Sequence, residues 1–318
     1  MKLKFLTLSI LMLAAHFLVS CGSSPSSPAA ATATPVPATS TPTPTPNVTI
    51  IANFTSPMGM CLDTQGNLYV ALSSAGTVAK ITSAGVTSTA ATGMAGVQDV
   101  KVDGSGDIFT AANTTYLLEA PVTGGGNVSI GYGMGNTYTC VGLNSAGTTL
   151  YAGSSAILGQ IVMFTATSAA TIATGATYGE INGITFDANG NMFFSDYALS
   201  SRVGEITAAS LASGSPAPVV FAGIGTAGWT DGANLSAAFS NPVGISAASS
   251  GNIFVADTGN GAIREIASGA VTTFIAATHS PSTGFTTAMA NPYGVVAGAN
   301  GVVYFSDQTS GNIYKYQP

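Results

Sequence analysis

Charged residues are scarce in this chain of 318 residues, which has 7 Lys and Arg and 13 Asp and Glu residues, or 6% of the total. An ordinary soluble protein has about 25%. Hydrophobic residues make up 46% and the mean hydropathy is +0.41, which first suggests a membrane protein. Long hydrophobic runs are scarce too, because only residues 5–19 approach the roughly 20 residues of a transmembrane helix. The composition therefore excludes a helical membrane bundle and favours short strands joined by tight turns.

Histidine is also rare, with two residues in the chain. His16 lies in the N-terminal hydrophobic run, and His279 lies in a loop of Ser, Pro and Thr. A single His beyond the N-terminal run cannot form a His-rich zinc site. The few Lys and Arg residues form no basic patch, so nucleic acid is not expected as a partner. We expect no cofactor and no catalytic metal, although this reasoning leaves room for a structural Ca²⁺ held by carbonyls and carboxylates.

The N-terminus has the pattern of a secretory signal peptide at residues 1–20. Lys2 and Lys4 precede a short hydrophobic stretch, as in an export signal. The stretch ends in Leu-Val-Ser followed by Cys21, which resembles the lipobox of bacterial lipoproteins. The resemblance implies a diacylglyceryl group on the Cys21 sulfur and an acylated amine, which together anchor a protein stably. The alternative is an ordinary signal peptide with a chance Cys.

Residues 21–47 continue from this Cys as a tract of Ser, Thr, Ala and Pro. Such a tract cannot form a core and is predicted to be an extended tether. The two features together predict an exported protein of the bacterial cell envelope, at the outer membrane or cell surface, whose membrane contact is the lipid on Cys21. Gly22 stands where inner-membrane lipoproteins commonly have Asp.

Internal repeats dominate the remaining residues, 48–318. Six segments share a turn glycine between two apolar stretches, at spacings of 40 to 61 residues. These glycines are Gly66, Gly106, Gly147, Gly190, Gly251 and Gly301. Repeats of this length with Gly-Asn turns are typical of propeller blades. The pattern predicts an all-β fold, a six-bladed β-propeller of four-stranded antiparallel blades.

Closure of the ring is predicted from the two ends of the repeat region. The last unit stops after its third strand, and residues 48–52 resemble the fourth strand at residues 271–276. The N-terminal strand would then complete the last blade and leave no unpaired edge. The alternative is an open solenoid. Cys61 and Cys140 fall in non-adjacent units, which predicts two buried free thiols rather than a disulfide.

The fifth unit resembles a known repeat. Residues 221–275 contain a Gly-rich lead-in ending in Asp-Gly, then AAFSNPVGI, GNIFVADTGN and AIREI, and closely resemble an NHL repeat. The resemblance implies a six-bladed propeller of the NHL type but leaves the function open, because propellers host enzymes, binding modules and scaffolds. The single remaining His argues against the amidating-lyase branch of these propellers and weakens a streptogramin-lyase interpretation.

One residue in each unit is predicted to surround a mouth of the central channel, just before the innermost glycine site. Five of these six residues form the candidate ligand-binding site: Met58, Gln98, Thr139, Asn182 and Tyr293. The sixth position is Val243. A ring of amides and an aromatic suits a neutral polar ligand or a peptide segment. Asp196, Asp257 and Asp307, each six residues after a turn glycine, are predicted to cap turns by accepting backbone N–H bonds.

Three functions remain open. The first is a non-enzymatic binding or protein-interaction module, monomeric, with a protein, peptide or glycan ligand. The second is a metal-assisted hydrolase or lyase of the gluconolactonase or streptogramin-lyase type. Asn182 resembles the metal-binding Asn of gluconolactonases, with Glu180 nearby, but Val243 stands where that family has its Asp. The third is a structural role in which the propeller only packs against other envelope proteins.

Overall fold

The computed structural model describes residues 47–112, 117–130, 137–155, 159–164, 168–174, 178–197, 199–276 and 289–318. Cys21, the signal peptide, nearly all of the tether and His279 lie outside these residues. Within them the protein is a six-bladed β-propeller, which confirms the predicted fold. No helix in this part of the chain has the length and hydropathy needed to cross a bilayer.

Each blade is an antiparallel sheet in which strands that are consecutive in the chain pair with one another, apart from one outer strand in each of the last two blades. Strands are numbered in chain order, and the first strand, β1 (Asn47–Asn53), belongs to the last blade. Blade 1 contains β2 (Pro57–Leu62), β3 (Leu68–Leu72), β4 (Thr77–Ile81) and β5 (Thr87–Ala91). Blade 2 contains β6 (Asp99–Val102), β7 (Ile108–Ala111), β8 (Leu117–Ala120) and β9 (Val128–Ile130). Blade 3 contains β10 (Tyr138–Leu143), β11 (Leu150–Ser154), β12 (Gln160–Phe164) and β13 (Ala169–Thr174).

The second half of the ring repeats this order with one addition. Blade 4 contains β14 (Ile181–Phe186), β15 (Met192–Asp196), β16 (Arg202–Ile206), a short helix α1 (Ala208–Ala212) and β17 (Val219–Ala222). Blade 5 contains β19 (Pro242–Ala247), β20 (Ile253–Asp257), a 3-10 turn (Thr258–Asn260), β21 (Ala262–Ala267) and β22 (Ala270–Ala276). Blade 6 contains β23 (Pro292–Ala297), a 3-10 turn (Ala299–Gly301), β24 (Val303–Asp307) and β25 (Asn312–Gln317).

Blade 5 differs from the predicted four-stranded sheet by a fifth strand, β18 (Gly232–Ala233), which pairs with β22. The preceding residue, Asp231, holds this segment in place. Its carboxylate accepts a hydrogen bond from the Arg264 guanidinium at 2.5 Å and another from the Thr273 N–H at 3.0 Å. The Gly-rich lead-in of the fifth unit is therefore folded onto the outer edge of its own blade.

The ring is closed by strands from both ends of the domain. β1 pairs antiparallel with β25, from Asn47 opposite Gln317 to Asn53 opposite Asn312. Val48 and Ile51 pack against the cores on the two sides of blade 6. The predicted closure of the last blade by the N-terminal strand is confirmed, and the pairing covers what would otherwise be an open sheet edge.

The hydrophobic core lies between neighbouring blades. The second strand of blade 5, for example, contributes Val255 to one cluster with Phe193 of blade 4 and Phe254 to another with Phe305 of blade 6. Both faces of these strands are buried, which explains why they are continuously apolar in the sequence. Burial between blades therefore accounts for the scarcity of charge in these strands.

Candidate functional site

The innermost strands form a closed ring around a central channel. β2, β6, β10, β14, β19 and β23 each contact the innermost strands on either side, and β23 contacts β2. Crowding at this ring explains its glycines. A Cβ on Gly59 would lie 2.3 Å from the Asp99 carboxylate, and one on Gly183 would lie 2.5 Å from the Val243 carbonyl oxygen. The residues one position before these innermost glycines carry the side chains that surround the channel opening.

A cavity of about 450 Å³ lies at the end of the channel where the innermost strands begin. All five predicted channel-mouth residues and Val243 line it, so the structure brings the whole set together. We call this cavity the polar mouth. Its lining is Met58, Gln98, Thr139, Ser155, Glu180, Asn182, Tyr197, Val243, Thr258, Asn291, Tyr293 and Gln308. Its volume falls within the range of about 300–1,000 Å³ that is usual for small-molecule sites.

Several lining residues were missed by sequence reasoning, although a positional signal exists. Tyr197, Thr258 and Gln308 each directly follow one of the three capping Asp residues. Since the cap ends the second strand of its blade, the next residue turns toward the same channel end as the start of the innermost strand. The capping Asp residues lie six residues after a turn glycine, so these three lining residues could have been found at the seventh position after it.

Asp196, Asp257 and Asp307 accept backbone N–H bonds. In blade 4 the acceptor is the Asp196 Oδ1, which receives the Gly179 N–H at 2.9 Å. The equivalent bonds in blades 5 and 6 come from the N–H groups of Ser240 at 2.7 Å and Ala290 at 3.3 Å. Each donor lies three residues before a mouth position, so the caps fix the segments that lead into Asn182, Val243 and Tyr293.

Side-chain hydrogen bonds between neighbouring blades fix the mouth further. In each of these bonds a hydroxyl donates to a backbone carbonyl of the next blade. The pairs are Thr139 to Ile181 at 2.6 Å, Ser306 to Met58 at 2.9 Å, and Ser195 to Val243. Two of the acceptor carbonyls belong to mouth residues, so the positions of the mouth side chains depend on the packing of adjacent blades.

The polar mouth is lined almost entirely by neutral groups. Among the described residues that line it, Glu180 is the only carboxylate and there is no Lys, Arg or His. The Asn291 amide donates to the Gln308 side-chain oxygen at 2.5 Å, and Gln308 in turn contacts the Met58 sulfur at 2.9 Å. Burial and the Asp99 carboxylate raise the pKa of Tyr293, so its phenol remains protonated. The lining offers donors, acceptors and aromatic faces.

Below the polar mouth the channel narrows to a small cavity of about 20 Å³, whose lining includes Asp99, Lys101, Asn182 and Tyr293. Lys101 donates to both Asp99 carboxylate oxygens at 3.2 Å. Asp99 occupies the innermost position of blade 2, where four other blades have glycine. Sequence reasoning missed this ion pair, and the signal that could have found it is a charged residue at the glycine position of a chain with few charges.

The ion pair is mostly buried, with 9% of the Asp99 side chain and 21% of the Lys101 side chain exposed. Burial raises the pKa of Asp99 more than Lys101 and two backbone N–H groups lower it. Burial alone lowers the pKa of Lys101, but the neighbouring Asp99 carboxylate outweighs it and the net pKa is raised. The lysine therefore stays cationic inside the channel.

Cys61 and Cys140 are both free and buried. Burial raises the pKa of the Cys61 thiol to about 12 and raises that of Cys140 as well. The Cys140 thiol donates to the Ile181 carbonyl oxygen at 3.3 Å. Because only the thiolate is an effective nucleophile, neither cysteine has the environment of a catalytic residue. In the described part of the chain, no three His, Cys, Asp or Glu side chains come together as a metal site would need.

Blade 5 contains a buried ion pair that follows from the repeat sequence. The Arg264 guanidinium, fully buried, donates to Asp257 at 2.7 Å on the adjacent strand. It also donates to the backbone carbonyls of Ala238 and Thr230, both at 3.0 Å. Asp257 and Arg264 therefore tie the lead-in to the sheet. This role is structural, and neither residue lines the polar mouth.

Comparison with known families identifies the source of this pattern. The NHL repeat family matches residues 239–266, which span the innermost strand of blade 5 through Asp257 and Arg264. The chain carries an NHL repeat. No curated protein matches it. The family match thus identifies blade 5 from its sequence, and the other five blades are identified from the structure.

Solved structures share the propeller fold. A Bacteroides thetaiotaomicron protein of unknown function has a TM-score of 0.70 and 18% identity, over 85% of this chain and 75% of that one. A gluconolactonase from Xanthomonas campestris has a TM-score of 0.65 and 9% identity, over 85% and 88%. A streptogramin B lyase has a TM-score of 0.61 and 14% identity, over 86% and 98%. At these identities the similarity establishes the fold alone.

Proposed function

We propose that the protein is a non-enzymatic binding module that takes a neutral polar ligand into the polar mouth. The observation that supports this most directly is the lining of that cavity. It joins four amides from three blades with two tyrosines, and among the described residues Glu180 is its only carboxylate. Such a surface recognises a ligand by hydrogen bonds and ring contacts, and it offers no base paired with a nucleophile.

The chemistry of the lining favours a glycan or an extended peptide segment. Gln98, Asn182 and Asn291 each carry both a donor and an acceptor, as hydroxyl-rich or amide-rich ligands require. Tyr197 and Tyr293 supply flat apolar faces with a polar edge. A protein partner that inserts a loop into the mouth would use the same contacts.

The proposal includes the place of action. An exported lipoprotein, anchored through the lipid on Cys21 and held off the bilayer by residues 22–47, would present the propeller at the bacterial cell envelope. We propose that it acts there as a monomer and binds no nucleic acid. Labelling cells with radioactive palmitate tests the anchor, since the label should be lost in the Cys21→Ser variant. Label retained in that variant would contradict it.

Binding is tested with the full chain carrying Cys21→Ser, so that no acyl chain interferes. The probes are a panel of neutral oligosaccharides and a library of uncharged short peptides, measured by calorimetry. Asn182→Ala and Gln98→Ala should each weaken binding about tenfold, which corresponds to the loss of one or two buried hydrogen bonds. Gln317→Ala, at an exposed amide at the end of β25, is the matched control and should leave affinity unchanged. Equal affinity in all three variants would contradict the proposal.

The alternative is a metal-assisted hydrolase or lyase of the gluconolactonase or streptogramin-lyase type. One observation favours it, because Glu180 and Asn182 line the same cavity and both could ligate a divalent ion through oxygen. Metal analysis of the purified protein separates the two functions. A stoichiometric divalent ion that is lost in Asn182→Ala would support the enzyme. The same analysis tests for a structural Ca²⁺, which would persist in that variant.

A further inference from the structure

The channel has a second cavity at the end where the innermost strands finish, with a volume of about 230 Å³. All six blades contribute to it, and most of its lining residues have hydrocarbon side chains, among them Leu62, Leu143, Phe186 and Val296. We call it the apolar mouth. Its volume lies below the range of about 300–1,000 Å³ that is typical of drug-sized ligands, which points to a smaller molecule.

Lys101 is the only Lys, Arg, Asp, Glu or His among the described residues that line the apolar mouth. Its partner Asp99 lines the narrow part of the channel but not this cavity. Lys101 therefore borders both cavities, whereas its carboxylate partner borders only the narrow part of the channel. A negatively charged group of a ligand in the apolar mouth is therefore favoured where it reaches the exposed part of Lys101.

Lys101 can accept a second anionic partner because Asp99 has other donors. The Asp99 Oδ1 receives the Val100 N–H at 2.9 Å, and its Oδ2 receives the Val141 N–H at 3.0 Å. The third bond of the ammonium goes to the Val100 carbonyl oxygen at 3.2 Å, a neutral acceptor. A carboxylate that replaced this carbonyl would form a charge-assisted bond, which is roughly twice as strong as a neutral one.

Hydroxyl groups in the same wall could complete the recognition of a carboxylate. Thr185 accepts the Ala247 N–H at 3.1 Å, and Ser246 accepts the Ala297 N–H at 3.0 Å. Each hydroxyl uses its oxygen as acceptor in these bonds, which leaves its O–H to donate. The bonds also hold the side chains in fixed positions at the cavity wall.

We propose that the apolar mouth binds a small monocarboxylate with a short hydrocarbon chain, whose carboxylate pairs with Lys101 while the chain contacts the apolar wall. This site is separate from the polar mouth and does not depend on the function proposed for it. The hydrocarbon portion supplies affinity by leaving water. The single cation supplies the preference for an acid over a neutral molecule of the same shape.

The test uses octanoate and octanamide with the full chain carrying Cys21→Ser, titrated by calorimetry. Octanoate should bind at least about tenfold more tightly than octanamide, as expected for a hydrogen bond between two charged groups. The double variant Asp99→Asn with Lys101→Met removes both charges together, so no unpaired buried charge remains. It should lose this preference while still binding octanamide.

Two further variants locate the site without disturbing the ion pair. Ala297→Phe places a large side chain at the wall of the apolar mouth and should abolish binding of both compounds. Asn182→Ala, in the polar mouth, should leave octanoate binding unchanged. Equal binding of octanoate and octanamide by the unsubstituted chain, no octanoate binding at all, or full octanoate binding by Ala297→Phe would each overturn the proposal.

Discussion

The carboxylate of Asp99 in blade 2 accepts a hydrogen bond from the backbone N–H of Val141 in blade 3 across 3.0 Å. It also lies against Gly59 of blade 1, where any Cβ would contact it at 2.3 Å. One side chain thus joins three consecutive innermost strands while it pairs with Lys101. Two of these three blades, 2 and 3, have Asp99 and Cys140 in place of the innermost glycine.

The Asp99–Lys101 pair should show strong energetic coupling. Asp99→Asn alone leaves a buried ammonium without its counter-ion, and Lys101→Met alone leaves a buried carboxylate. Each single change should lower the free energy of unfolding by about 3–5 kcal/mol, whereas the double variant should lose less than the sum of the two. Urea unfolding of the four proteins measures this. Additive losses would show that the pair is not coupled.

Asp196 should make stability fall as pH rises. Burial raises the pKa of this carboxyl more than its hydrogen bonds from Ser200 and Gly179 lower it. Between the unfolded pKa of about 4 and the raised folded value, the folded state binds more protons than the unfolded state, so the free energy of unfolding falls with increasing pH. Asp196→Asn removes this loss, and urea unfolding across that window should show a flatter profile. An unchanged profile would contradict the prediction.

Asp63 provides a control of opposite sign. Burial raises the pKa of this carboxyl, but hydrogen bonds from Asn67 and Gln65 and the charge of Lys80 outweigh it, and the net pKa is lowered. Its contribution to stability is present above the unfolded pKa and is lost as pH falls through the folded value. Asp63→Asn should therefore reduce the loss of stability at acid pH, and this should be visible in the same unfolding experiment.

Gly59→Ala should be far more destabilising than alanine at a turn glycine. The new Cβ would lie 2.3 Å from the Asp99 carboxylate and 2.9 Å from its Cα, so both strands must shift, at a cost of about 3 kcal/mol. Gly66→Ala is the matched comparison, because nothing lies within 4 Å of its Cβ and the residue has a φ of +78°. Left-handed strain alone should cost it about 1–2 kcal/mol. Equal losses in denaturant unfolding would show that channel crowding has no energetic effect.

Closure of the ring should be required for full stability. A chain that begins after Asn53 lacks β1 and exposes the edge of β25, whereas a chain that begins at Asn47 keeps the pairing. The shorter chain should unfold at least roughly 5 °C lower, as a loss of about 2 kcal/mol implies for a domain of this size. It should also associate in size-exclusion chromatography, because an unpaired edge invites pairing with another chain. Identical melting of the two chains would exclude this role.

The sequence predicted those parts of the site that depend on the repeat. The position before the innermost glycine recurs in every unit, and a closed ring of equivalent strands must bring such positions together. That geometry alone placed Met58, Gln98, Thr139, Asn182 and Tyr293 at one cavity. Whether they bind a ligand stays a prediction.

The ion pair and the extra strand were not predicted, because both depend on departures from the repeat. Asp99 and Lys101 lie in a unit that lacks the innermost glycine, and their pairing depends on side-chain conformation in a narrow space shared by three blades. β18 forms because Asp231 reaches the fully buried Arg264, a contact that spans 33 residues of sequence. Neither contact recurs from one repeat unit to the next, so the repeat pattern of a single sequence does not reveal it.

The strand that closes the ring also has a mechanical consequence. Everything that precedes Asn47 is connected to the propeller through β1, the outermost strand of its sheet. A pull on the N-terminal segment must therefore be carried by the ladder between β1 and β25, beginning at Asn47 opposite Gln317. The pairing that closes the ring is therefore also the first contact of the propeller to be loaded when the N-terminal segment is pulled.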